Sequence, residues 1–388
     1  MNLKAQLEPL FDWFVDGAPG AETPMNVVGC LGRELWAAGI QAERISAYVR
    51  TLHPRIAGRR FGWNPTLHDA VVSDLPWGDL LTPAFIAGPM PQVFATGLEY
   101  RSRLTTPSPF PGLEDFRQQG MTDYIALPLK FMGGAVNAIT MTTAAPEGFT
   151  EPQLEALRWV CRPLARVAET LALMRTAVNL LNTYVGRNAG ERILGGHIQC
   201  GDIESIRCVI WFSDLRGFTS MSGDKTPTET IAVLNELFEC QVPAIDTHGG
   251  EVLKFIGDGM LAIFAITDTR DQKAAAEAAA SASVDAFAAL EKLNAARRAR
   301  GAEPIQFGLS LHVGDVAYGN IGGANRLDFT AIGSAVNLAS RIEGLTSKLG
   351  KNALLSEALA ASLDRKTRLI GSFELKGFAE PHAVYELD

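Results

Sequence analysis

Cysteine is scarce in this chain of 388 residues, and none of its five cysteines (Cys30, Cys161, Cys200, Cys208, Cys240) stands in CxxC spacing. That excludes a disulfide framework and the common zinc-site patterns. No run approaches the ~18 apolar residues that a bilayer crossing needs. The opening MNLKAQLEPLFDWFVDG lacks the charged and apolar regions of a signal peptide. Basic residues are outnumbered, 35 against 43 acidic, for a net charge of -8. No general affinity for DNA or RNA is expected from such a surface. A nucleotide pocket, which needs only a few local lysines and arginines, stays open. These absences predict a cytoplasmic protein with no membrane span and no nucleic-acid partner. What is present is ordinary globular composition, in a length that suits two domains and a connector.

Residues 1–150 carry Trp13, Trp36, Trp63 and Trp77, with turn signals at Thr82-Pro83, Gly88-Pro89 and 107–111. Two strands are predicted at 123–129 and 135–142, around Met132-Gly133-Gly134. Glu151-Pro152 opens a helix with Thr150 as its N-cap. The run ALPLKFMGGAVNAITMTTAAPEGFTEPQLEALRWV resembles the closing strands and last helix of a GAF-type sensor domain. The resemblance implies a regulatory α/β domain that receives a small-molecule or protein signal of unknown identity. No haem, flavin or metal signature accompanies it, and the isolated His53 and His68 read as structural.

Within the segment 151–200, Leu157, Leu164, Leu171, Val178 and Val185 fall seven apart. Val160, Val167, Met174 and Leu181 repeat at the same interval, offset by three. This heptad seam predicts a parallel two-stranded coiled-coil connector; a helix packed on its own domain is the alternative.

From 201 onward strands and helices alternate. Strands are predicted at 207–212, 252–256, 260–266, 306–313 and 327–332, and helices at 227–247, 271–300 and 334–349. The order is a ferredoxin-like βαββαβ arrangement, so the fold class is α+β. Three segments carry chemistry. In CVIWFSDLRGFTSM an apolar strand ends at Asp214 and turns through Gly217, where backbone amides can approach phosphate oxygens. In GGEVLKFIGDGMLAIF two apolar runs flank Gly257-Asp258-Gly259, with Asp258-Gly259 as the hairpin signal. If the strand ending at Asp214 lies beside this hairpin, two hard carboxylates share one sheet edge and suit two Mg²⁺ ions. In RLDFTAIGSAVNLASRIEGL a strand ends at Thr330, and Asn337 and Arg341 then share a helix face. Arg341 could grip a phosphate and Asn337 a sugar oxygen. Taken singly, each segment has a bland reading: a strand-ending turn, a good hairpin, a solvated helix face.

In this order and spacing the three segments resemble the class III adenylyl and guanylyl cyclase catalytic domain, over 201–388 including the closing FELKGFAEPHAVYEL. The resemblance implies Asp214 and Asp258 as ligands of two Mg²⁺ (or Mn²⁺) ions per active site, with the Leu215 carbonyl as a further ligand. It implies Phe218 and Thr219 as positions whose backbone meets the triphosphate, and Lys376 as a triphosphate-binding lysine. Lys254 and Thr330 read the base, Asn337 orients the ribose, and Arg341 holds charge developing on the α-phosphate. The metal carboxylates of one chain work with Lys254, Thr330, Asn337 and Arg341 of another, so a homodimer with composite sites is implied. Threonine at 330 departs from the aspartate of the best-known mammalian enzymes and matches a bacterial subgroup. A lysine donor with a hydroxyl suits adenine, so ATP is the expected substrate and cyclic AMP the product. A guanylate cyclase and a catalytically silent nucleotide-binding regulator are the alternatives.

Overall fold

In this structure, a computed structural model, residues 2–323 and 326–387 are described, without the side chains of Ala84, Thr219 and Asp224. The chain divides into two compact units, 1–180 and 181–388.

The first unit runs α1 (Leu3–Gln6), α2 (Glu8–Val15), α3 (Pro24–Ala37), β1 (Arg44–Arg50), β2 (Ile56–Trp63), β3 (Val71–Pro76), a 3₁₀ turn (Trp77–Leu81), α4 (Pro83–Ile86), α5 (Met90–Thr96), β4 (Tyr100–Arg103), α6 (Pro111–Gln118), β5 (Asp123–Lys130), β6 (Val136–Thr143) and α7 (Glu151–Val185). Thr23 starts α3 with a capping box, its hydroxyl accepting from the Asn26 amide at 3.3 Å while Asn26 Oδ1 accepts from Thr23 N–H. The strands form one antiparallel sheet in the order β3-β2-β1-β6-β5-β4. Phe14, Leu31, Leu35 and Ile139 pack with Leu154, Leu157, Val160 and Leu164 of α7 in one core. A smaller cluster joins Val93 of α5 and Leu113 of α6 to Tyr124, Ala126 and Ala138 of the sheet. His53 Nδ1 accepts from the Arg55 amide at 3.1 Å, and His68 Nδ1 lies 3.3 Å from Asp69, in keeping with structural roles.

Helix α7 extends for 35 residues. Its heptad seam divides in two. Leu157, Val160, Leu164 and Val167 are buried in the core of the first unit, so this stretch is not available to a second helix. Beyond it Leu171, Val178, Leu181 and Val185 are half-buried and Met174 is exposed. A seven-residue repeat expected to bind another helix thus serves, over its first half, to hold α7 on its own sheet, because a/d spacing and a core-facing stripe coincide over two or three turns.

The second unit continues with α8 (Arg187–Leu194), β7 (Ile203–Leu215), α9 (Phe218–Asp224), α10 (Pro227–Thr247), β8 (Glu251–Ile256), β9 (Gly259–Ala265), α11 (Gln272–Ala299), β10 (Phe307–Gly323), β11 (Arg326–Ile332), α12 (Ser334–Leu349), β12 (Ala353–Ser356), α13 (Glu357–Ala360), β13 (Thr367–Phe373) and β14 (His382–Leu387). A capping box starts α10, where Thr226 and Glu229 exchange bonds. The sheet order is β13-β14-β12-β10-β7-β9-β8, with β11 paired to β10. Its β10-β7-β9-β8 portion is the expected βαββαβ arrangement, with every neighbouring pair antiparallel. The core of the unit gathers Trp211, Phe264 and Phe307 with the buried alanines of α11. No helix among the described residues is long and apolar enough to cross a membrane, and all five cysteines are free.

Candidate active site

Strand β7 delivers Asp214 one residue before its end, opposite Gly308 of β10, while its neighbour Ser213 pairs with Met260 of β9. The β8–β9 turn carries Asp258. Ile256 pairs with Gly259, so the two turn residues are Gly257 and Asp258, one position earlier than the Asp-Gly signal suggested. Gly257 takes φ +63°, the positive φ a primed hairpin turn requires at its first central residue. Gly259 has a different task. A Cβ there would lie 2.8 Å from Ser213 O and 3.1 Å from Asp214 Oδ1, so only glycine lets the hairpin close against the Asp214 carboxylate. The two carboxylates therefore meet at one sheet edge. Burial, then the charge of Asp258, pushes Asp214 up to about 6, while the Leu215 amide donates to it.

Sequence reasoning missed a third acid. Glu343 of α12 comes down over Gly308, where any Cβ would land on Thr346 Oγ1 and Glu343 Oε1. Burial, then the charge of Asp214, raises Glu343 to about 7. Nothing local announces it; the contact joins residues about 130 apart in sequence. Glu343 also orients α12. Residues two apart on a helix point about 200° apart, so Arg341 faces away from the side that meets Asp214. Arg341 and Asn337 are both exposed on one face, as their spacing predicted, and neither side chain has a partner among the described residues. Within one chain the carboxylates and the Asn337/Arg341 pair are not brought together.

Lys254 and Thr330 occupy β8 and β11. Lys254 Nζ donates to Asp328 Oδ2 at 2.8 Å, and both line a polar cavity of 740 Å³. Asp328, also unforeseen, sits two residues before Thr330 and so on the same strand face; the period-2 rule was the available signal. Thr330 is buried, yet its hydroxyl has no hydrogen-bond partner among the described residues. Phe218 starts α9 after Gly217, which takes φ +70°, and packs against the core of the second unit. The Thr219 side chain lies outside the described residues. Lys376 is exposed in the turn after β13.

The model of the adenylate and guanylate cyclase catalytic domain matches residues 202–387. This part of the chain is a class III nucleotide cyclase domain. An adenylate cyclase of Anabaena cylindrica is 37% identical over 200 residues, covering 49% of this chain and 38% of that protein. Adenylate cyclase 1 of Rhizobium meliloti is 32% identical over 180 residues, covering 45% of this chain and 26% of that protein. The chain thus spans well under half the length of these relatives. A solved bacterial light-regulated adenylyl cyclase shares the fold, with a TM-score of 0.50, 20% identity, and coverage of 66% of this chain and 84% of that one.

Proposed function

We propose that the chain is an adenylate cyclase that converts ATP into 3′,5′-cyclic AMP and pyrophosphate in active sites shared by two copies, under control of the N-terminal unit. The observation that carries the reading is the Thr330 hydroxyl. A buried hydroxyl without a partner is destabilising unless a ligand satisfies it, and this one shares a strand face with the aspartate that holds Lys254. Lysine donates and threonine donates or accepts, which matches the N1 acceptor and amino donor of adenine.

Asp214 and Asp258 fit divalent cations, Mg²⁺ or Mn²⁺ at two per active site, because two carboxylates crowded enough to raise Asp214 are relieved by positive charge. The carbonyl of Leu215, the residue after Asp214, would serve as a further oxygen donor. Bound there, the cations would acidify the ribose 3′-hydroxyl and neutralise phosphate charge. Asn337 orients the ribose so that its 3′-oxygen lies in line with the α-phosphate. Arg341 holds the charge that develops on that phosphate, and Lys376 with the backbone at Phe218 and Thr219 holds the departing pyrophosphate. Since Arg341 faces away from its own chain's Asp214 side, the arginine is supplied by a second copy, and a two-fold pair makes two equivalent sites.

The test is turnover of ATP and GTP by Thr330→Val together with its unfolding temperature. Loss of ATP preference with unchanged or raised stability is expected. Unchanged preference, or a marked fall in stability, would show that the hydroxyl serves the fold and does not read the base.

A further inference from the structure

The first unit contains a cavity of 280 Å³ between its sheet and the middle of α7. Its interior is apolar, with Val27 and Val28 from α3, Ala47 and Phe61 from the sheet, and Leu164 from α7 all buried. Leu171, Ala172 and Val178 continue the wall along α7, and Asn179 closes that end with a bond to Thr51 Oγ1 at 3.3 Å. Charged side chains join only at the edge. Arg59 is paired with Asp74 at 2.8 Å. Arg50 and Arg175 are exposed and their guanidinium groups have no hydrogen-bond or ion-pair partner among the described residues, and Glu22 stands exposed at the same edge. The uncompensated charge is two arginines against one glutamate.

We infer that this cavity is a binding site for an apolar monocarboxylate, its tail between α3, the sheet and α7 and its carboxylate held by Arg50 and Arg175. Each feature selects part of that ligand. The buried walls offer the interior nothing to hydrogen-bond, and the hydroxyls of Thr23 and Thr51, which also line the cavity, are engaged by Asn26 and Asn179, so the buried portion is hydrocarbon. At the ~30 Å³ that a water-sized group occupies in a liquid, the volume accommodates roughly nine or ten heavy atoms. The edge carries one net positive charge, matched by one carboxylate, and a guanidinium offers that group two parallel donors. Four of the wall residues named above belong to α7, so an occupant adds contacts to the second half of the seam, where the helix has few of its own.

The test is calorimetric titration of the full chain with decanoate below its micelle concentration, alongside the decyltrimethylammonium cation of matched tail. Saturable binding of decanoate at one per chain, without binding of the cation, is expected. Arg50→Gln with Arg175→Gln, which leaves the core untouched, is expected to weaken decanoate about tenfold or more. Ala168→Trp, which fills the cavity, is expected to abolish binding while sedimentation shows an unchanged assembly. Absent binding, equal uptake of anion and cation, or affinity indifferent to the arginine pair would overturn the inference. So would a wild-type chain that takes up no decanoate and whose dimers Ala168→Trp dissociates, since the groove would then be covered by a second copy. Should Ala168→Trp fail to fold, the arginine pair decides the matter alone.

Discussion

Each unit sets a carboxylate at the end of a strand, Asp123 fully buried and Asp214 half-buried, and the two are treated in opposite ways. In the first unit Asp123 is fully buried and fully engaged: Arg101 donates to it at 2.6 Å and the Phe149 amide at 3.0 Å. The same arginine reaches Phe149 O, so β4, β5 and the approach to α7 are fastened together. In the second unit Asp214 meets, among the described residues, two other acids, Asp258 and Glu343, and the Leu215 amide, and its carboxyl is raised to about 6. Asp123 is a clasp; Asp214 is left wanting positive charge. Removal from water therefore does not mark the acid that serves chemistry, since the more buried of the two is the one the chain has paired. What distinguishes them is whether the chain itself supplies the counter-charge.

The sharpest way to break the contrast is to remove an acid from each side. Asp214→Ala or Asp258→Ala is expected to lower Mg²⁺-dependent cyclic AMP formation about a thousandfold or more while leaving the unfolding transition in place. Asp123→Ala should do the reverse, destabilising the first unit by leaving the half-buried Arg101 and the buried Phe149 amide without their partner. Near-normal turnover in either mutant of the cyclase domain would remove the cation-site reading.

A second test separates the halves of the site. Asp214→Ala and Arg341→Ala chains, each inactive alone, are expected to recover about a quarter of wild-type turnover when mixed equally, since half the pairs are mixed and each keeps one whole site of two. A silent mixture in which subunit exchange is verified would mean that Arg341 acts on its own chain's carboxylates.

Smaller effects are expected where a neighbour only positions a functional group. Asp328→Asn should raise the KM for ATP about tenfold with less change in kcat, because Lys254 loses the partner that aims it. An unaltered KM would make the 2.8 Å pair an ordinary surface contact.

The smallest effect is on stability and depends on pH. Asp214 at about 6 and Glu343 at about 7 both stand above their ordinary values of 3.8 and 4.5 in the folded chain. Over that interval the folded chain binds protons the unfolded chain has lost, so the contribution of these groups to stability falls as pH rises from about 4 through about 7. For chelator-treated protein, the unfolding temperature of Glu343→Gln is expected to gain on wild type as pH rises from 5 to 8. Added Mg²⁺ should narrow the gap by relieving Asp214. A constant difference across that range would show that the acids do not share a field.

Much of the second unit was legible because its signals are local. The alternation of apolar residues and the helices at 227–247 and 334–349 each depend on neighbours in sequence, and the boundaries of α10 and α12 coincide with those expected. Strand β10 runs ten residues further than the predicted end at 313, because Gly314, Gly319 and Gly322, which read as breakers, serve close approaches to Ala335, Asp202 and Arg326. The two-residue turn shifted by one because Gly-Asp and Asp-Gly are both competent there, and tertiary contact with Asp214 chose between them. Glu343 was invisible for a related reason: the space it enters is created by a glycine on another strand. In the first unit only the closing hairpin and the start of α7 carried clear local signals, so β1 to β4 and the cavity beneath α7 emerged only from packing.

The open Thr330 hydroxyl has a consequence for anyone who would improve this molecule. Selection for heat resistance rewards changes that retire an unmet demand, and Thr330→Val, Asp214→Asn and Glu343→Gln each do that. Such a campaign would collect its first gains at the proposed nucleotide site and arrive at a protein that survives heating without its proposed activity. Gains in durability should instead be sought in the first unit, where the buried Thr142 hydroxyl beside the Asp123 clasp has no partner among the described residues.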